Sequence, residues 1–179
     1  MRSHSRSTCM WGVTVAGLCV LWFAVPAGAV PLESWDNKIP NANQRFKVLT
    51  EFNNEAVLDK ETQLVWERSP SATSNSWNAQ RYACADKLVG GRKGWRLPSL
   101  PELTSLLDLS VPFTGPLLPL GHPFLTVQAS ASWSATTDAD VQTSAWSVAF
   151  HAGNVNTPGF KGSTLPGWCV RGAMNADAY

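Results

Sequence analysis

Apolar and polar positions change rhythm three times along this chain. An apolar run extends from Met10 to Val25. From residue 45 the rhythm becomes a period of two, with Phe46 and Val48 between polar neighbours, as a half-buried strand requires. Ala56-Val57-Leu58 and Leu64-Val65-Trp66 flank Asp59-Lys60-Glu61-Thr62-Gln63, a pattern that predicts a β-hairpin with a five-residue turn. Residues 69–76 are polar and read as a loop. Beyond them the spacing turns helical. Ser76 is placed to cap a helix carrying Trp77, Cys84 and Leu88 on one stripe, with the stem of Arg81 laid along it and Gly90-Gly91 as its stop. A second helix opens at Ser99-Leu100-Pro101-Glu102, which has the form of a capping box with Pro in the first turn. Its apolar face is Leu100, Leu103, Leu106 and Leu107, and Gly94-Trp95-Arg96-Leu97-Pro98 is the connector between the helices.

Regular patterning then stops. Across residues 109–130 the prolines at 112, 116, 119 and 123, with Gly115 and Gly121, preclude a long helix or a central strand. An ordered loop of this length is uncommon and often functional. Three strand-like pieces follow. Residues 132–136 carry Trp133, residues 145–150 place Trp146, Val148 and Phe150 on one face, and residues 167–171 carry Trp168, Cys169 and Val170. His151-Ala152-Gly153-Asn154 fits a turn into a short strand at Val155. Strands, two helices, a long loop and more strands make an α+β domain, with the helices expected on one side of a small antiparallel sheet.

The apolar run near the start is an address rather than part of this fold. Arg2 and Arg6 precede it, no acidic residue occurs before Glu33, and Ala27-Gly28-Ala29 offers small residues for cleavage after Ala29. A membrane anchor is the alternative, but Pro26 and the small-residue exit favour a cleaved secretory signal. A lipoprotein site at Cys19 is disfavoured by the bulky Leu18 before it. The expected organisation is a signal peptide over residues 1–29, an arm over 30–44, the domain over 45–174 and a tail over 175–179. A periplasmic or secreted location follows, and no later stretch is apolar enough to span a membrane.

Composition changes the picture in two respects. Of the 179 residues 44% are hydrophobic and only 15% charged, which excludes an acidic disordered chain and a basic nucleic-acid binder. Without Arg2 and Arg6 the chain has 12 basic residues against 13 acidic, a formal charge of −1, so electrostatic attraction to nucleic acid is not implied. Loss of Cys9 and Cys19 leaves Cys84 and Cys169. In an oxidising compartment this pair is expected to be bridged, with two free thiols as the alternative. Zinc is disfavoured, because His122 and His151 lack ligand spacing with them.

The motifs have an order of their own. Val57-Leu58-Asp59 with Thr62 and Leu64-Val65-Trp66-Glu67 come first, then Trp77 with Ala83-Cys84. Gly94-Trp95-Arg96-Leu97-Pro98-Ser99 with Glu102-Leu103, Gly121-His122-Pro123-Phe124, Trp133-Ser134-Ala135-Thr136 and Trp168-Cys169-Val170-Arg171-Gly172 follow. Over residues 45–172 this succession resembles the bacterial domain of unknown function typified by the C-terminal domain of Legionella collagen-like protein. That family is similar in fold to C-type lectins and to formylglycine-generating enzymes. The resemblance implies a C-type lectin-like fold and supports a disulfide from the first helix to the last strand. At Gln63 the family usually has Gly, so this hairpin must hold Gln at positive φ or adopt another turn. Fold likeness does not deliver a function.

Candidate chemistry is sparse. A calcium-dependent lectin needs clustered carboxylates, whereas Trp133 is followed by Ser134-Ala135-Thr136; Asp138 and Asp140 could ligate calcium but read more simply as solvated turn residues. A formylglycine-generating reaction needs reactive cysteines, and both remaining ones are assigned to the bridge. No nucleophile-elbow motif surrounds any serine. His122 in the loop is a candidate ligand contact, or a turn residue pinning the loop. Arg96, with Lys87, Arg92 and Lys93, forms a basic cluster suited to anionic glycans, or a solvated face. Trp133 is a candidate sugar-stacking ring among tryptophans that otherwise read as core. The expectation is a noncatalytic domain without a resident cofactor that binds an extracellular glycan or protein through residues 109–130. A divergent enzyme of the formylglycine-generating group, a cell-wall hydrolase and a structural module are the alternatives.

Overall fold

A computed structural model describes residues 38–112 and 115–172. The expected signal peptide, most of the arm with Trp35, and the tail lie outside them. The chain divides into units 1–32 and 33–179, and every described residue falls in the second. Among the described residues no helix is long and apolar enough to cross a membrane.

The elements in order are α1 (Ala42–Arg45), β1 (Phe46–Leu49), a 3-10 turn (Thr50–Phe52), β2 (Ala56–Asp59), β3 (Leu64–Glu67), α2 (Trp77–Asp86), β4 (Trp95–Arg96) and α3 (Leu100–Thr104), then β5 (Ala131–Thr137), β6 (Ser144–Ala149), β7 (Asn154–Phe160) and β8 (Val170–Arg171). They form two sheets where one was expected. One has five strands in the order β1-β2-β3-β8-β4, and the other three in the order β5-β6-β7. All these pairings are antiparallel. The domain is therefore α+β, as the patterning predicts.

The hairpin pairs Ala56 with Glu67 and Asp59 with Leu64. Asp59 belongs to the strand, so the turn is one residue shorter than predicted. Gln63 stands at φ 60°, the left-handed conformation that the missing glycine would have adopted freely.

Successive residues of the hairpin serve two cores, because side chains alternate across a strand. Val57, Leu64, Trp66 and Val170 join Leu103 and Leu106, Leu118 and Phe124 of the long loop, and Val148, Phe150 and Trp168. Ala56, Leu58, Val65 and Cys169 face the other way, toward Trp77, Cys84, Phe52, Trp95 and Trp133. Helix α3 thus covers one face of the five-stranded sheet and α2 the other. The expectation of both helices on one side is corrected: the stripes of both helices are apolar, but strand alternation decides which core receives each.

Helix α2 ends at Asp86, where Lys87 turns extended. Leu88 therefore leaves the predicted stripe and is 60% exposed, while Gln80 takes a buried place beside Trp77 and Cys84. Gly90 and Gly91 both have positive φ in the following turn rather than ending the helix. Helix α3 carries the predicted capping box: Glu102 N donates to Ser99 Oγ, and Ser99 N donates to Glu102 Oε2. Cys84 and Cys169 are disulfide-bonded across 85 positions (S–S 2.06 Å), which excludes the free-thiol alternative. Trp146 does not join Val148 and Phe150 in the core. The β6–β7 register shifts between Ala145 and Ser147, and the ring stays half-buried outside both clusters.

Candidate functional site

The three residues singled out from the sequence come to rest in different environments. Trp133 is 0% exposed, and its indole N–H donates to the Asn75 carbonyl at 3.2 Å. It offers no ring face to a sugar, and its candidacy is corrected: strand β5 turns it inward, into the core beside the disulfide. Trp66, Trp77, Trp95 and Trp168 are buried as well. The exposed aromatics among the described residues are Tyr82 on α2 and Phe160 at the end of β7; the loop exposes aliphatic Leu109, Leu120 and Leu125 instead.

His122 is half-buried in the long loop, its ring tilted against Phe124 at 5.8 Å. Its Nδ1 is sealed from water without a hydrogen-bond partner, and burial pushes the imidazole pKa below its usual 6.5. The ring helps line an open depression of about 290 Å³ with Val111, Pro116, Leu118 and Leu120. Asp108, where the loop begins, accepts hydrogen bonds from Ser110 N and Oγ at 3.0 and 2.6 Å, and the Ser110 hydroxyl holds its carboxyl pKa down.

Arg96 lies on β4 and is largely committed inside the domain. Its guanidinium grips Glu102 and also donates to the carbonyls of Leu97 and Gly172. Its remaining surface borders a groove of about 300 Å³ with Asn78, Arg81, Tyr82 and Leu97. His122 and Arg96 therefore line different depressions, and Trp133 is in the core.

The basic cluster expected at residues 87–96 is taken apart by the fold. Lys87 pairs with Glu67 at 2.6 Å, and Arg96 with Glu102. Arg92 and Lys93 remain exposed, and strand order adds a third cation. Because β8 pairs with β4, Arg171 stands opposite Trp95. The guanidinium groups of Arg92 and Arg171 both lie over the Phe52 ring, 4.9 and 5.7 Å from its centroid. Arg92 Nε donates to the Glu51 carbonyl, weakly at 3.4 Å, and Arg171 Nε donates to the Lys93 carbonyl at 3.0 Å. Backbone acceptors thus orient both groups. Among the described residues, Arg92, Lys93 and Arg171 form no ion pair. Of the acids on adjoining residues, Glu55 accepts Gly90 N at 2.7 Å, and Glu51 takes only a weak contact from the Thr50 hydroxyl at 3.4 Å. Sequence reasoning missed Arg171 and Phe52, since nothing local joins positions 52, 92 and 171.

Among the described residues no group of three or more His, Cys, Asp or Glu side chains could hold a metal ion. Asp138 and Asp140 form a turn in which Asp138 Oδ1 accepts Asp140 N.

A disulfide-stapled α+β domain with two small antiparallel sheets and an irregular proline-rich loop is what these elements define. Residues 55–171 match the model of a family described as the Lcl C-terminal domain, and the chain belongs to that family. No curated protein matches the sequence.

Proposed function

We propose that this is a noncatalytic recognition domain of an exported protein, C-type lectin-like in organisation, that binds an acidic carbohydrate on the face formed by Arg92, Lys93 and Arg171. One observation carries the reading: two guanidinium groups share the Phe52 ring, and among the described residues neither forms an ion pair with a carboxylate. Like charges held together cost energy, and a bound anion offsets that cost. The planar fork of Arg suits the paired oxygens of sulfate or carboxylate groups. The near-neutral formal charge of the chain favours a local anion contact over a polyphosphate-binding surface. A noncatalytic role is supported by the partners of the groups with shifted pKa: Glu67 bonds to Lys87, Asp108 to Ser110, and His122 Nδ1 to nothing among the described residues, so no two of them are coupled for proton transfer.

The test is binding to immobilised dextran sulfate, with neutral dextran as control, in the presence and absence of calcium. The reading expects calcium-independent retention of the sulfated polymer alone, lost in an R92A/K93A/R171A variant. Retention unchanged in that variant, or absent in the wild type, refutes it.

The long loop supports a second reading, a contact with a protein partner. Leu109 and Leu120 are 62% and 75% exposed, an aliphatic surface suited to an apolar contact with a protein.

A further inference from the structure

The groove bordered by Arg96 has α2 along one wall. Asn78, Arg81, Tyr82 and Ala85 fall at i, i+3, i+4 and i+7 of that helix, so they form one face. Together with Leu97 and Ala135 they line an open space of about 300 Å³. We propose that it binds a small aromatic carboxylate, with the carboxylate on Arg81 and the ring on Tyr82.

The anionic end of such a ligand meets donors that solvent already reaches. Arg81 is exposed, and its guanidinium lies over the Trp77 ring, 4.6 Å from the centroid. Trp77 is its i−4 neighbour, so the helix itself sets this stacking and holds the planar fork in place. Among the described residues that guanidinium makes no hydrogen bond and no ion pair. Lys161 Nζ lies over the same ring at 4.2 Å and donates to Thr137 Oγ1 and the Gln142 carbonyl. Two cations therefore meet at one indole, and among the described residues neither is paired with a carboxylate. No acidic residue among those described lines the groove, and the charge of Arg96 is matched by Glu102. A carboxylate on the Arg81 fork accepts two parallel charge-assisted hydrogen bonds. The exposed carboxamide of Asn78, one turn earlier, is a further donor.

The rest of the groove suits a flat apolar body. Tyr82 is 71% exposed, and its ring stacks on no other aromatic among the described residues. Ala85, Leu97 and Ala135 carry no hydrogen-bonding side chain. A sugar acid needs acceptors for the hydroxyl groups around its ring, and the side-chain acceptors on α2 here are confined to the Asn78 carbonyl and the Tyr82 hydroxyl. An arene needs none. Its stacking on Tyr82, offset or edge to face, adds to the gain from taking apolar surface out of water. The groove is at the small end of ligand sites, which limits the body to about one ring. Arg81 and Tyr82 take no part in the cationic face of Arg92, Lys93 and Arg171, so this ligand is additional to the polysaccharide.

The experiment is an amide NMR titration of the full chain with benzoate. Benzamide, which lacks the charge, acetate, which lacks the ring, and glucuronate, a sugar acid, serve as the comparison. Benzoate is expected to shift the signals of Asn78, Arg81, Tyr82 and Ala85, with each comparison compound at least about tenfold weaker. R81M keeps an apolar stem over Trp77 and removes the fork, and Y82A removes the stacking ring from an exposed position. Both are expected to weaken benzoate binding at least about fivefold and to leave retention on dextran sulfate unchanged. No shift at roughly 20 mM benzoate, shifts that persist in both variants, or glucuronate binding as tightly as benzoate overturns the proposal. Loss of dextran sulfate retention in R81M also overturns it, by making the groove part of the polysaccharide site. Because each ligand is scored with its own variants, failure of this site is distinguishable from failure of the cationic face.

Discussion

Arg96 grips the wholly buried carboxylate of Glu102 through two hydrogen bonds, Nη1 to Oε2 at 2.7 Å and Nη2 to Oε1 at 2.6 Å. The same Oε2 accepts Ser99 N, so the capping box of α3 and the ion pair to β4 share one carboxylate. A residue first considered for ligand contact is thereby a structural anchor. Replacing Arg96 with Met strands a charge inside the domain. The expected loss is about 3 kcal/mol of unfolding free energy, read from urea denaturation. An unchanged midpoint would show that Glu102 is stabilised by the capping box alone.

The disulfide closes a loop of 85 positions between α2 and the approach to β8. In the chain-entropy model such a closure contributes about 4–5 kcal/mol. The C84A/C169A variant should unfold at correspondingly lower urea, and reductant should lower the midpoint of the wild type but not of the variant.

Gly90 and Gly91 separate two physical effects. Both have positive φ, at 57° and 74°. A Cβ on Gly90 would lie 2.3 Å from the Phe52 carbonyl oxygen, whereas one on Gly91 meets nothing within 4 Å. G91A should cost about 1 kcal/mol, from backbone conformation alone. G90A should cost clearly more, because backbone must move. Equal losses in thermal or urea unfolding would mean that the contact with Phe52 relaxes freely.

Gln63 offers the converse experiment. A non-glycine residue at φ 60° pays for the left-handed conformation, and its side-chain bond to the Lys60 carbonyl is exposed. Q63G is expected to raise stability by up to about 1 kcal/mol, visible as a higher melting temperature.

His122 makes stability fall on mild acidification. Burial lowers its pKa in the folded state, so below about pH 6.5 the unfolded chain takes up a proton that the folded chain refuses. Stability is therefore lost as pH falls from the unfolded value to the folded one, and is insensitive to this group above that window. Glu67 acts with the opposite sign: its raised pKa adds stability as pH falls through the folded value toward 4.5. Urea midpoints of wild type and H122L, compared between roughly pH 7 and 5, isolate the histidine. The variant should show the shallower decline, and identical profiles would rule out a titrating imidazole at this site.

Much of the architecture is written in short stretches of the chain. The hairpin at residues 56–67 follows from alternation, α3 from Ser99, Pro101 and Glu102, and the irregular loop from its prolines, because each is settled by neighbours within a few positions. Cysteine arithmetic pointed to Cys84 with Cys169. What lay beyond the sequence is every relationship that depends on strand order. Alternation said that Val57 and Leu58 face opposite ways, but only the packed structure showed that both faces are covered, one by α3 and the other by α2. Trp133 looked available for stacking until β5 turned it inward. Arg92 and Arg171 are 79 positions apart, and insertion of β8 between β3 and β4 is what brings both over Phe52. Glu67 and Lys87 meet because α2 stops at Asp86 and the chain turns back toward the hairpin. Local conformation is an energy of near neighbours and can be read along the chain. A binding surface is a juxtaposition of distant side chains, and it exists only once the sheets have closed and the core has chosen which faces to bury.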